Sequence, residues 1–166
     1  MTTLIAALVI GIVVGAGALG LVDRMRGELR QARPSETGGL MIGMVHAKRR
    51  IVYVTRLLDA PRDSEGTPMA FVRGVDDLPE AVADIERRSG GLLGYVGEWH
   101  THPAGGPDLS ITDLLAAARL KRVLDRVPLP THIVVVTPRG VYPHVFEAGT
   151  DGLLVRGRFR VAVEAR

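Results

Sequence analysis

The chain of 166 residues carries a formal net charge of +3 and contains no cysteine. Its composition, 46% hydrophobic and 23% charged, is that of one globular domain and excludes wholesale disorder. The lack of cysteine excludes disulfides, thiolate metal sites and a cysteine nucleophile, so a metal would be held by histidine or carboxylate side chains. Aromatic residues make up only 4% of the chain, which together with the small net charge argues against nucleic acid as a partner.

The N-terminal stretch Leu4–Val22 contains no charged residue and admits three interpretations. It is long enough for a membrane-spanning helix, and the arginines that follow would then leave the rest of the chain in the cytoplasm. Its segment Gly15–Gly20, GAGALG, also matches the dinucleotide-binding pattern GxGxxG. We favour the third interpretation, a buried strand at Ile10–Val14 followed by a helix at Ala16–Ala32 in a cytoplasmic protein.

The rest of the sequence alternates between strand and helix patterns separated by proline, glycine and charged turns. The predicted strands are Leu40–Val45, Ile51–Leu58, Leu92–His100, Thr131–Thr137, Val141–Phe146 and Leu153–Val163. The predicted helices are Asp77–Ser89, with Leu78, Val82 and Ile85 facing inward, and Ser110–Arg126, with Ile111, Leu114, Leu115, Ala118 and Val123 facing the core. Ala60–Pro68 is predicted to be a mobile loop. This order predicts an α/β (α+β) domain with a mixed central β-sheet flanked by helices.

Two histidines at the end of a predicted strand point to metal chemistry. His100 and His102 are two positions apart, so both rings lie on the same face of the strand and can share a zinc ion. Asp113, in the first turn of the next helix, can add a carboxylate if the intervening loop folds back. Three protein ligands and one open position are typical of catalytic zinc sites. Ser110 and Asp113 also match a helix-capping pattern.

Together with Glu36-Thr37-Gly38-Gly39 upstream, these residues resemble the signature of the JAB/MPN (JAMM) metalloproteases. That signature is Glu, then His-x-His-Pro, six residues, and Ser-x-x-Asp, and it is matched by Glu36, His100, His102, Pro103, Ser110 and Asp113. The runs ETGG and GEWHTHP look most like bacterial JAB proteins encoded near ubiquitin-like conjugation and anti-phage defence genes. The resemblance divides the chain into an apolar extension, residues 1–11, and a JAB/MPN domain, residues 12–166.

The resemblance implies a zinc-dependent isopeptidase that cuts after the C-terminus of a ubiquitin-like protein, either to remove it from a conjugate or to mature its precursor. It implies that His100, His102 and Asp113 hold one Zn²⁺ per chain. Glu36 would take a proton from the attacking water and return it to the leaving amine, and Ser110 would donate a hydrogen bond to the oxyanion. A sulfur carrier or other small carrier protein as substrate, and a non-catalytic scaffold, remain open as alternatives.

Other residues receive structural interpretations. His46, His132 and His144 lack a metal-ligand spacing and are interpreted as surface or structural residues. Trp99 is predicted to pack beneath the site. The segment Ala60–Phe71 is predicted to cover a groove in which a flexible C-terminal tail binds as an added strand.

Overall fold

The computed structural model describes residues 18–46, 51–123, 131–148 and 154–158. The helices are α1 (Ala18–Ala32), α2 (Leu78–Arg88) and α3 (Ile111–Val123). The strands are β1 (Gly38–His46), β2 (Ile51–Asp59), β3 (Glu65–Thr67), β4 (Ala70–Val72), β5 (Gly94–Thr101), β6 (Thr131–Thr137), β7 (Gly140–Ala148) and β8 (Leu154–Arg158). The predicted extension 1–11, the predicted strand Ile10–Val14 and the first half of the GAGALG motif lie outside these described residues.

Six strands form the central sheet in the order β2-β1-β5-β6-β7-β8. Strands β5 and β6 run parallel, whereas the other neighbouring pairs run antiparallel, so the predicted mixed sheet is confirmed. Because β1 is antiparallel to β5, the start of β1 lies beside the end of β5, where Gly38 pairs with His100. This pairing brings Glu36, which precedes β1, to the histidines that end β5.

Helices cover both faces of the sheet. Met25 and Leu29 of α1 pack against one set of sheet residues that includes Val134 and Val136. Ala117 of α3 and the preceding Leu109 pack against Ile133, Val135 and Phe146. Since alternate residues of β6 face opposite sides, α1 and α3 lie on opposite faces of the sheet.

Among the α3 side chains that the structure describes, the predicted inner face is wrong at two positions. Ile111 is 79% exposed and Leu115 is 57% exposed, although both were expected in the core. The helix instead turns Asp113 and Ala117 inward. Each residue advances the helix by about 100°, so Ile111 and Leu115, two positions on either side of Asp113, lie on the opposite face. The buried carboxylate therefore decides which face of α3 meets the sheet.

The predicted loop Ala60–Pro68 contains a short strand. Strand β3 pairs with β4 through three residue pairs and forms a separate two-stranded hairpin. Asp63 accepts hydrogen bonds from the amides of Val75 and Asp76, and Ser64 Oγ accepts one from the amide of Gly74. We call residues 63–76 the hairpin segment, and these side-chain bonds close its base. A strand of three residues is too short for hydrophobic alternation to reveal.

The apolar run Leu4–Val22 is described only from Ala18 onward, where it forms the start of α1. Within the described parts of the chain, the helices lack the length and apolar character needed to cross a lipid bilayer.

Candidate metal centre

Three buried side chains converge at the end of β5. His100 Nε2 and His102 Nε2 are 3.0 Å apart. Asp113 Oδ1 lies 3.5 Å from His100 Nε2, and Asp113 Oδ2 lies 3.6 Å from His102 Nε2. Each residue offers one ligand atom, and these atoms all lie within 4.8 Å of one another. His100, His102 and Asp113 therefore form a group that could hold a metal ion.

Strand geometry positions the two histidines. The amide of His102 donates to Val136 O at 2.8 Å, which extends the pairing of β5 with β6 by one residue. Thr101 lies between the histidines and bonds to the residue after Glu36: its amide donates to Thr37 O at 2.7 Å, and its Oγ1 accepts from Thr37 N at 2.9 Å. Thr101 thus joins the end of β5 to the segment that carries Glu36. The sequence analysis gave Thr101 no role. The two-residue period of a strand places its side chain on the face opposite the histidines, which was the available signal.

The hydrogen bonding of His102 fits a cation. Its Nδ1 lies 2.9 Å from Gly106 O, a carbonyl that can only accept, so Nδ1 carries the hydrogen. In the neutral ring, Nε2 then presents a lone pair toward His100 Nε2 and the Asp113 carboxylate. Ligand atoms about 2.0–2.1 Å from a shared tetrahedral ion are separated by about 3.4 Å. The two histidine nitrogens are 3.0 Å apart, near that value, and each lies 3.5 or 3.6 Å from a different oxygen of Asp113, so the three residues fit a shared divalent ion.

A helix cap orients the third member of the group. The amide of Ser110 donates to Asp113 Oδ2 at 2.7 Å, and the amide of Asp113 donates to Ser110 Oγ at 3.2 Å. These reciprocal bonds form a capping box at the start of α3. The exposed Ser110 also donates its hydroxyl hydrogen to Asp113 Oδ2 at 2.6 Å. A bond from Ser110 to an oxyanion would require that hydrogen to turn away, and this role stays a prediction.

Glu36 lies beside the group. Its Oε1 is 4.0 Å from His102 Nε2, too far for a direct hydrogen bond, and its side chain is buried. The amide of Glu36 donates to Thr67 O in β3 at 2.8 Å. The backbone of Glu36 is therefore held by the hairpin segment, and its carboxylate lies close to the histidines but not among the three converging ligand atoms.

Burial and charge shift the pKa values of these groups in different directions. Burial raises the pKa of Glu36, and the charges of His102 and His100 offset only part of that effect. Burial lowers the pKa of His102, but the interactions with Asp113 and the Gly106 carbonyl raise it by more. Burial raises the pKa of Asp113, but the interactions with His100, His102 and Ser110 hold it far below its usual range. A field that favours a proton on His102 also favours a metal cation, so protons and metal would compete here.

A groove of about 390 Å³ opens beside the converging side chains. Its walls come from the hairpin segment and α3, and its floor comes from the central sheet. The lining includes Phe71, Arg73, Glu98, His100, Leu115 and Arg119. Of these, Arg73, Glu98 and Arg119 were not identified from the sequence, and only Glu98 left a signal there. An acidic residue two positions before His100 in a predicted buried strand would have been the signal.

The remaining histidines lie on the surface or beside backbone carbonyls, and Trp99 lies in the hydrophobic core. His132 Nδ1 lies 3.2 Å from Val96 O, and His144 Nε2 lies 2.8 Å from Pro107 O; both rings are buried. His46 is exposed. Trp99 is 1% exposed and packs in the core beneath α1. The structural interpretation of these residues is confirmed.

The chain is similar to known proteins in sequence. A profile of the prokaryotic homologues of the JAB domain matches residues 19–146. A CD-NTase/cGAS isopeptidase of Enterobacter hormaechei subsp. hoffmannii (strain UCI 50) is 34% identical over 92 residues, covering 55% of this chain and 49% of that protein. A CD-NTase/cGAS isopeptidase of Escherichia coli (strain TW11681) is 29% identical over 80 residues, covering 48% of this chain and 50% of that protein. The chain thus spans about half the length of the curated relatives it matches.

The chain is also similar to a solved structure. The solution structure of a protein from Desulfitobacterium hafniense covers 93% of this chain and 94% of its own, with a TM-score of 0.56 and 21% identity. This likeness concerns the fold, and it confirms the predicted α/β architecture.

Proposed function

The chain belongs to the prokaryotic homologues of the JAB domain, and from this premise we propose that it is a metal-dependent isopeptidase. The bond it cuts is the amide after the C-terminus of a ubiquitin-like protein. The observation that carries the proposal is the convergence of His100, His102 and Asp113 within 4.8 Å, with the buried carboxylate of Glu36 4.0 Å from His102.

Zinc is the ion that we propose for this group, one per chain. His100 and His102 would each supply a nitrogen and Asp113 an oxygen, a donor set that zinc takes in catalytic sites. When bound, the ion supplies Lewis acidity, which makes water more acidic and polarises a carbonyl group.

Glu36 carries the proton in the proposed reaction. Its carboxylate accepts a proton from the water that attacks the scissile carbonyl and then returns that proton to the leaving amine, and the burial of Glu36 favours the protonated form between the two transfers. A carbon–oxygen bond forms while the carbon–nitrogen bond of the amide breaks. Ser110 is exposed beside Asp113, so its hydroxyl can turn toward the oxygen that gains charge and donate a hydrogen bond.

The substrate we propose has a flexible C-terminal tail. Among the described strands, β4 pairs only with β3, which leaves its other edge for an extended tail that runs through the groove toward His100. The names of the curated relatives support a CD-NTase as the conjugated protein. In that case the reaction releases the CD-NTase from a ubiquitin-like protein within an anti-phage defence system.

The test uses the purified full chain loaded with zinc and two fusions, one of a ubiquitin-like protein and one of a sulfur carrier, each joined through its C-terminus to a reporter. We expect cleavage of the first fusion, its loss on chelation and its return with zinc. Glu36→Gln should keep the metal and lower kcat by about 10²–10⁴. Glu80→Gln, an exposed change on α2, is the matched control. Cleavage that survives chelation, or full activity of Glu36→Gln, would refute the mechanism. Cleavage of the second fusion alone would move the substrate to sulfur carriers.

A further inference from the structure

Glu98 is a charged residue in the middle of the central sheet. It pairs with Leu40 of β1 on one side and with Ile133 of β6 on the other. The preceding Gly97 has φ 155° at an irregularity of the pairing between β1 and β5, a conformation that side chains rarely adopt. Two positions separate Glu98 from His100, so both side chains share one face, and both line the groove.

Arg73, directly after β4, pairs with this carboxylate. Its Nη2 and Nε both donate to Glu98 Oε1, at 2.8 and 3.2 Å, and its Nη1 donates to Gly74 O at 2.8 Å. The side chains of Arg73 and Glu98 are only 22% and 20% exposed. The pair therefore ties the end of the hairpin segment to β5 at low exposure.

The hairpin segment also contacts the Glu36 region directly. Thr67 O accepts from the amide of Glu36 at 2.8 Å. Phe71 packs so closely over Gly38 that a Cβ there would lie 2.8 Å from Phe71 Cε1 and 2.9 Å from His100 Cβ. The hairpin segment thus spans the distance from the strand of the histidines to the backbone of Glu36.

We propose that the Arg73–Glu98 ion pair positions Glu36 by holding the hairpin segment against β5. The proposal rests on the function proposed above, in which Glu36 moves the proton. Partly buried ion pairs add little net stability, because desolvation offsets their attraction. Such a pair can instead fix the relative position of two segments. The two hydrogen bonds from Arg73 to Glu98 fix the position of β4 relative to β5. The pairing of β4 with β3 then fixes the position of Thr67 O. Arg73 and Glu98 are positioning residues that act through Thr67 and Glu36.

The test measures hydrogen exchange at the Glu36 amide by NMR, in the full chain without substrate. We expect Glu98→Gln and Arg73→Lys to speed this exchange at least tenfold, because Glu36 N–H loses its fixed acceptor. The zinc dissociation constant should stay within twofold of wild type. The matched control is Arg24→Lys, because Arg24 also pairs with a carboxylate, Asp59, and joins α1 to β2. Its Glu36 exchange should equal that of wild type.

A double variant, Arg73→Met with Glu98→Gln, leaves no unpaired charge and should show the same fast exchange as the single variants. Glu36 exchange at the wild-type rate would overturn the proposal, and so would an equal rise across the amides of β1, β5 and β7, which indicates only general destabilisation. On a cleaved fusion, kcat should fall about tenfold, and a rise in KM with kcat unchanged would overturn the proposal, because it would assign the pair to binding of the tail along β4. If the proposed function fails and no fusion is cleaved, the exchange at Glu36 still decides whether the pair positions it.

Discussion

The two parts of the candidate site are built by different means. His100, His102 and Asp113 come from one short stretch, where strand alternation and a helix cap direct the side chains. Glu36 comes from a distant part of the sequence and is held by the pairing of β1 with β5, by Thr101 and by the hairpin segment. We call these the local part and the assembled part. The difference implies that the proposed metal binding and the proposed proton transfer can be lost separately.

The largest expected effect lies in the local part. Asp113→Ala removes both a ligand atom and the helix cap, so we expect the metal affinity to fall more than about 100-fold, beyond the loss from removing an outer-shell partner. Ser110→Ala removes the cap and keeps the carboxylate, and it should cost about 1 kcal/mol of stability. Zinc titration and thermal unfolding of both variants measure this. Equal zinc affinity in the two variants would contradict the assignment of Asp113.

Gly38→Ala should disrupt the assembled part most strongly. The added Cβ would lie 2.2 Å from Trp99 O and 2.8 Å from Phe71 Cε1, so β1 and β5 must shift. We expect a loss of about 1–3 kcal/mol in unfolding free energy. Gly20→Ala in α1 meets nothing within 4 Å and should instead stabilise the fold by up to about 1 kcal/mol. Denaturant unfolding distinguishes the two, and equal effects would show that close packing at Gly38 is unimportant.

Thr101→Val sharpens the comparison, because this residue joins the two parts. The change keeps the shape of the side chain but removes the acceptor of the Thr37 amide, so we expect a loss of about 1–2 kcal/mol. Cleavage should slow, whereas zinc affinity should stay near that of wild type. Thr55→Val, which removes the longer 3.3 Å bond that the hydroxyl of this exposed β2 residue donates to Ile42 O, is the control and should cost only about 0.5 kcal/mol. A loss of zinc with unchanged stability would show that Thr101 serves the local part instead.

The smallest effect concerns pH and the base of the hairpin segment. The amide of Val75, with that of Asp76, donates to Asp63 and holds the pKa of its carboxyl below its usual range. A lowered pKa in the folded state adds stability above the unfolded pKa, and this is lost as the pH falls through the folded pKa. Below about pH 4, wild type should therefore lose stability more steeply than Asp63→Asn. Thermal unfolding between pH 5 and pH 3 measures this, and parallel curves would contradict it.

Sequence reasoning predicted the local part well. The positions of His100 and His102 follow from the two-residue period of a strand, and the Ser110–Asp113 cap follows from a pattern of four residues. The main helices and strands were also predicted within a few residues of their bounds in the described parts of the chain. The directions of these side chains are determined by residues close in sequence, so strand periodicity and helix-capping patterns are enough to predict them.

Strand periodicity and capping patterns could not predict contacts between segments that are distant in sequence. A resemblance, and not spacing, brought Glu36 into the predicted site. The roles of Arg73 and Glu98 depend on which segment folds against β5, which no local pattern encodes. The error at Ile111 and Leu115 has the same origin: hydrophobicity placed them inside, but Asp113 had to face His100. Where a polar contact across the fold competes with hydrophobic pattern, the contact decides.

Strand β5 lies between β1, which runs antiparallel to it, and β6, which runs parallel to it. At the carboxyl end of β5, the walls of the groove are the hairpin segment and α3, which both lie in connections between strands of the central sheet. Such connections tolerate insertions, because doubling the length of a flexible loop lowers the folding stability by only about 0.6 kcal/mol through the entropy of loop closure. These connections can therefore vary in length while the central sheet stays the same, and a longer turn between β3 and β4, away from the Gly106 carbonyl that holds His102, is a direct route to changing which protein enters the groove.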